Sequence, residues 1–216
     1  MTKTSVSILN CDFNNIDSEI RRINNSSADY IHIDIMDGDF VKTNTSELFD
    51  LKKITSYSKK KLDIHLMVKK PNEIIDLYCF PTTEIISIHY ESECDFNQTF
   101  NKLKENNIKC GLAINPDTKI SSIKPLLNLV DLILVMSVFP GSGGQIFINE
   151  TFNKILELKK NINKKNYNIK ISVDGGVDDT NSKNLINMGC DILVSGTYLI
   201  KSENIEKSIK SMLKRW

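Results

Sequence analysis

Short runs of Ile, Val and Leu recur along the whole chain, each separated from the next by an amphipathic stretch long enough for a helix. That alternation is the pattern of βα units around a parallel sheet. It predicts eight strands, over residues 6–9, 30–35, 62–67, 85–89, 109–114, 132–136, 169–173 and 192–195. Most carry branched apolar residues on both alternating faces, as strands covered on two sides require. Between them, Phe96, Phe100 and Leu103 fall at i, i+4 and i+7 of a helix over 95–106, and Phe152, Ile155, Leu156 and Leu158 mark another over 151–163. Asn72, after Pro71, opens a helix over 73–78, and Pro125 should kink or restart one over 119–129.

Eight strands with eight helices in about 215 residues lie near the lower size limit of a TIM barrel, whereas an open doubly wound sheet usually needs fewer strands. A dinucleotide-binding sheet would also carry G-x-G-x-x-G after an early strand, but the first strand runs into Asn10-Cys11-Asp12. No Pro/Gly/Ser-rich linker breaks the series. The expectation is an α/β protein, a (β/α)8 TIM barrel forming a single domain over residues 1–216.

Composition agrees with one globular unit, since 216 residues that are 40% hydrophobic and 25% charged can bury about three quarters, or slightly less, of the unfolded surface. The net charge is +1 with both signs interspersed, so no global field draws nucleic acid or an anionic membrane. The Lys runs at 59–61 and 164–165 read as solvated faces. No stretch approaches the ~20 apolar residues of a membrane span, and the N-terminus has no long apolar run. Five cysteines, an odd number without C-x-x-C spacing, argue against a disulfide framework and a zinc-thiolate cluster. A reducing cytoplasm is the expected location.

In such a barrel the reactive groups gather at the C-terminal mouths of the strands. Polar residues fall there: Ser7, His32, Asp34, His65, His89-Tyr90-Glu91 and Asp174, with all three histidines of the chain in the set. By the period of two, His32, Asp34 and Met36 share one strand face, and His65 and Met67 share another. Polar groups aimed into a narrow barrel must be paired or bound. Any one histidine reads as a satisfied core residue. Together, His32, Asp34, His65 and Asp174 read as ligands for a divalent ion such as Zn2+, Fe2+ or Mn2+. A second constellation is Gly141-Ser142-Gly143-Gly144, Gly175-Gly176 and Gly196-Thr197, after strands six, seven and eight, where backbone N–H groups can approach a phosphate. Singly, each is only a turn.

The motifs SILNCDF, HIDIMDGDFV, DIHLMVKKP, GLAINPDT, VMSVFPGSGGQIF and VDGGV stand in an order and at separations that resemble the ribulose-phosphate 3-epimerase family over essentially the full length. The resemblance implies a barrel of the ribulose-phosphate-binding type. It implies a cytoplasmic isomerase of the pentose phosphate pathway, converting D-ribulose 5-phosphate to D-xylulose 5-phosphate at C3 through an enediolate. His32, Asp34, His65 and Asp174 would hold one divalent ion (Zn, Fe, Mn or Co), and Asp34 and Asp174 would exchange protons with the sugar as an acid/base pair. Ser7 and His65 would contact substrate. Gly141, Ser142, Gly143, Gly144, Gly175, Gly176, Gly196 and Thr197 would surround the phosphate end, with 141–147 as a lid. Met36, Met67 and Met136, which alone read as core, become an apolar floor beside a planar intermediate. The resemblance also points to a homo-oligomer, without locating an interface.

The chain departs from the family pattern in places. It reads Phe40-Val41-Lys42-Thr43 where Phe-Val-Pro-Asn is usual, Val6-Ser7 where Pro-Ser is common, Phe139 where Asn is usual and Ser142 where Phe is usual. None removes an ion ligand or proton carrier; they bear on substrate length, lid closure and rate. They keep open a phosphorylated hexulose such as allulose 6-phosphate as substrate. From another class, a sugar-phosphate binding barrel without turnover is the competing reading. A related decarboxylase would want Asp-x-Lys-x-x-Asp, but Asp63 is followed by Ile64-His65. His89-Tyr90-Glu91 reads either as support behind the ligands or merely as the end of strand four, and receives no catalytic role.

Overall fold

A computed structural model describes residues 1–213 of the 216. Its eight parallel strands are β1 (Lys3–Ser7), β2 (Tyr30–Met36), β3 (Lys61–Met67), β4 (Thr83–His89), β5 (Lys109–Ile114), β6 (Leu132–Met136), β7 (Lys170–Asp174) and β8 (Ile192–Ser195). They hydrogen-bond in chain order and close, with β8 pairing β1 from Lys3–Ile192 to Val6–Ser195. Helical segments such as Ile16–Asn24, Phe96–Glu105 and Thr151–Lys165 link successive strands. This is the (β/α)8 barrel that the hydrophobic alternation predicts.

Side-chain parity divides the apolar core in two. Outward strand residues such as Ile31, Ile64, Leu112 and Ile133 pack with Ile20, Phe100, Leu103 and Leu158 of the helices in one large cluster. That layer carries much of the stability; truncating Phe100 to Ala would cost about 3–5 kcal/mol. Inward residues of β4, β5, β6 and β8, among them Ile85, Ala113, Leu134 and Val194, form a smaller cluster. β1 to β3 instead turn six buried polar residues inward, Ser5, Ser7, His32, Asp34, Asp63 and His65, between Tyr30 at one end and Met36 and Met67 at the other. One side of the barrel interior is therefore a filler and the other a site.

Several boundaries differ from the sequence reading. β1 begins at Lys3, not Val6: Asp29 accepts the backbone N–H of Thr4, and Asp63 accepts from the polar Ser5 Oγ, which is thereby paired inside the barrel. β7 ends one residue later than expected, at Asp174, so that carboxylate sits on the strand itself. The helix expected over 151–163 continues to Lys165 and stops where Asn166 turns left-handed at φ 54°. Over 71–78, Pro71 rather than Asn72 starts the turn, giving a short α-helix (Pro71–Ile74) that tightens into a 3₁₀ turn (Ile75–Tyr78). Pro125 does restart its segment, as a 3₁₀ turn (Lys124–Leu126) after Ile120–Ile123. Among the described residues no helix is long and apolar enough to cross a membrane, and the five cysteines are free.

Candidate active site

β2 and β3 run in register with Asp34 beside His65 and Met36 beside Met67. Their shared inward parity brings His32, Asp34 and His65 to the barrel interior, and β7 adds Asp174 from across it. One ligand atom from each of the four lies within 4.8 Å of the others. His32 Nε2 is 3.2 Å from Asp34 Oδ1 and 3.7 Å from Asp174 Oδ2, and His65 Nδ1 stands at the same two distances. His32 Nε2 is buried without a hydrogen-bond partner. An orphaned buried nitrogen costs about 1–3 kcal/mol, and two imidazoles with two carboxylates are a donor set suited to a borderline divalent ion. The residues present fit such an ion.

Three of the four, His32, Asp34 and His65, are held from behind. Asp63 Oδ2 receives Ser5 Oγ at 2.8 Å and meets His32 Nδ1 at 2.9 Å. Ser7 Oγ donates to Asp34 Oδ2 at 2.9 Å, and Thr45 Oγ1 bridges the Asp34 carbonyl and the Met36 N–H. His65 Nε2 meets His89 Nε2 at 2.8 Å, and His89 Nδ1 meets Glu91 at 3.0 Å. The sequence pattern singles out neither Ser5, Thr45 nor Asp63, and for His89 and Glu91 it left open a supporting role or the mere end of a strand. The signal available was parity: Asp63 shares a face with His65, so it too points inward. Asp37, in the same motif as Asp34, instead accepts the backbone N–H groups of Asp39, Phe40 and Lys69 and braces a loop.

Above these four residues opens a cavity of about 730 Å³. Ser7, Asp34 and Asp174 reach it, and Met36, Met67 and Met136 line it. Gly141, Ser142, Gly143, Gly144, Gly175, Gly176, Gly196 and Thr197 line it as well. His32 and His65 are fully buried and do not line it. His65, expected to touch substrate, has both ring nitrogens directed at protein groups. Gly176 takes φ 62°, and a Cβ there would stand 2.7 Å from Phe147 N and 2.8 Å from Gln145 O, so the turn after β7 seats the 141–147 segment only as glycine. Thr43 Oγ1 donates to the Gly141 carbonyl at 2.5 Å, and Gln145 Nε2 donates to the Phe139 and Ser142 carbonyls. The unusual Thr43, Phe139 and Ser142 thus meet in one lid.

The profile of the ribulose-phosphate 3 epimerase family matches residues 3–200. The chain belongs to the ribulose-phosphate 3-epimerase family. It is 37% identical over 210 residues to the ribulose-phosphate 3-epimerase of Helicobacter pylori, covering 97% of this chain and 96% of that one. The Bacillus subtilis ribulose-phosphate 3-epimerase is 33% identical over 213 residues, 98% of each chain. Membership makes the protein an isomerase of the epimerase type. Among solved structures, a mutant tryptophan synthase α-subunit from Pyrococcus furiosus superimposes with a TM-score of 0.69 at 14% identity, covering 99% of both chains. The 3-hexulose-6-phosphate synthase from Salmonella typhimurium gives 0.68 at 11% identity, over 98% of this chain and 96% of that one. At those identities the likeness is one of barrel fold.

In an epimerase of this family the two central carboxyls merit separate treatment. Burial pushes Asp34 up, but the nearby His32, above all by its charge, and His65 outweigh it and hold Asp34 well below the usual carboxylate range. Burial also pushes Asp174 up; His32 opposes this, while the like charges of Asp34 and Asp63 add to it, and the carboxyl is raised to about 7. Burial works against a charged His32, yet Asp63 and Asp34 raise it well above its ordinary value. His65 is lowered, chiefly by burial. Environments that drive two carboxyls apart suit an acid and a base. A bound cation favours the ionised form of both.

Proposed function

We propose that the protein interconverts D-ribulose 5-phosphate and D-xylulose 5-phosphate by epimerisation at C3, as a step of the pentose phosphate pathway, with the barrel as one catalytic unit. The observation that carries this reading is the Asp34 and Asp174 pair: two carboxylates from β2 and β7, gathered with His32 and His65 at one point beneath a glycine-rimmed cavity. The names of the curated relatives support the pentulose phosphate as substrate. Free cysteines suit a cytoplasmic setting.

His32, Asp34, His65 and Asp174 would hold one divalent ion, Zn, Fe, Mn or Co, which when bound supplies Lewis-acid stabilisation of negative charge on nearby substrate oxygens. Asp34 removes the C3 proton from one face of the sugar, leaving an enediolate. Asp174 returns a proton to C3 from the other face, and the roles exchange in the reverse direction. Ser7, donating to Asp34 Oδ2, keeps that carboxylate aimed. Met36, Met67 and Met136 offer the planar intermediate an apolar surface with no proton to give. Backbone N–H groups of Gly175, Gly176, Gly196 and Thr197 receive the phosphate, and the lid formed by 141–147, with Gly141, Ser142, Gly143 and Gly144, excludes water.

Turnover of ribulose 5-phosphate and allulose 6-phosphate by one purified sample tests the assignment. The pentulose phosphate is expected to have the higher kcat/KM by at least about tenfold, the scale of a pocket that discriminates by one carbon unit. A preference for the hexulose phosphate would move the substrate, and turnover of neither would leave only a binding barrel.

A further inference from the structure

His89 ends β4 fully buried, and Glu91 follows two residues later at the mouth of the barrel. The mechanism above uses neither. His89 Nε2 lies 2.8 Å from His65 Nε2, and His89 Nδ1 lies 3.0 Å from Glu91 Oε2. The two rings are tilted by only 26° with centroids 4.9 Å apart. With their Nε2 atoms in contact, they meet edge to edge, as a hydrogen bond in the ring planes requires. Phe40 packs its ring against His89 at 4.8 Å between centroids.

The direction of the protons follows from the Glu91 end. Glu91 Oε1 accepts the Asn115 N–H at 3.0 Å and the Thr118 hydroxyl. A carboxylate used this way is an acceptor, so its Oε2 accepts the hydrogen bond of His89 Nδ1–H. A neutral imidazole carrying Nδ1–H has a bare Nε2, which can only accept. The facing His65 Nε2 must then donate, and His65 is left with a bare Nδ1. That atom is the one 3.2 Å from Asp34 Oδ1 and 3.7 Å from Asp174 Oδ2.

We propose that His89 and Glu91 are positioning residues: a two-step hydrogen-bond chain, anchored after β5 by Asn115 and Thr118, that locks His65 in the tautomer whose Nδ1 can bind a divalent ion. The proposal rests on His65 being an ion ligand, as in the function proposed above. His32 needs a different support because it offers the opposite nitrogen, Nε2; there Asp63 meets Nδ1 directly. Outer partners of this kind fix ring orientation and raise ligand basicity.

Nitrogen-15 NMR of the full-length protein with labelled histidine reads the chain directly, without a substitution. His89 is expected as the Nδ1–H tautomer with a bare Nε2, before and after zinc is added. A protonated Nε2 on His89 overturns the proposal whether or not zinc binds, whereas failure to take up zinc overturns the ligand reading beneath it. Cobalt(II) titration of two variants supplies the second readout. His89→Leu removes the acceptor and is expected to weaken cobalt binding about 10–100-fold and alter the visible spectrum. His89→Gln, whose Oε1 can accept from His65, should recover most of that affinity. Unchanged affinity in His89→Leu, or no recovery in His89→Gln, contradicts the positioning role.

Discussion

The floor of the site and its rim are built by opposite means. The floor sits on β2, β3 and β7, where register and parity leave each side chain one direction in which to point. The rim sits on loops whose shape depends on glycine conformations and on contacts such as Thr43 with Gly141, 98 positions apart. The expected ligands stand on the strands, while Thr43, Phe139 and Ser142 are tied by hydrogen bonds to or within the 139–145 loop. Chemistry resides where geometry is over-determined, and variation collects where backbone can adjust.

That division is open to direct attack. Asp34→Asn and Asp174→Asn keep shape and remove the proton carrier, so each should lower kcat about 10³–10⁴-fold with the circular dichroism spectrum unchanged. A residual rate within tenfold of the parent would remove that carboxylate from the chemistry. Chelation should next cost at least about 100-fold in rate, restored by Zn, Fe, Mn or Co, as expected where an ion stabilises developing charge. The binding should also depend on pH with a defined sign. Because Asp174 is raised to about 7, it holds a proton below that pH which an incoming ion must displace. Cobalt affinity should therefore fall at least about tenfold per unit as the pH drops below 7, with the raised His32 adding a further proton for the ion to displace. Affinity that rises on acidification would contradict the ligand assignment.

Changes at the rim should be smaller and fall mainly on KM. Gly176→Ala puts a Cβ into the backbone of Phe147 and Gln145 at a left-handed φ. Strain of about 1–3 kcal/mol should raise KM roughly tenfold or more while kcat changes less. Thr43→Val deletes one exposed hydrogen bond to the lid, worth about 0.5–1.5 kcal/mol. Faster amide exchange over 141–147, with KM raised a few-fold, is the expected result. A larger fall in kcat from Thr43→Val than from either aspartate variant would erase the distinction between floor and rim.

Much of the floor was legible in the sequence because a period of two is a local property. His32, Asp34 and Met36, then His65 and Met67, declare a common face without knowledge of the rest of the chain. β1 was harder to place because polar Thr4 and Ser5 interrupt the apolar run, and the partner of Ser5, Asp63, lies on another strand. The partners of the supports were not legible, even where parity pointed Asp63 inward. Asp63 meets His32 through the register of β2 with β3, and Glu91 finds Asn115 and Thr118 across a different loop. Such pairings depend on which strands become neighbours and at what offset, which no single segment encodes.

The most direct test of the two-carboxylate reading is the fate of the C3 hydrogen. Ribulose 5-phosphate is incubated with the metal-loaded protein in heavy water, and the products are read by NMR. Proton transfer through Asp34 and Asp174 on opposite faces predicts xylulose 5-phosphate carrying solvent deuterium at C3. Xylulose 5-phosphate that keeps its original C3 hydrogen, or protein that binds the ion yet exchanges nothing at C3, would contradict it.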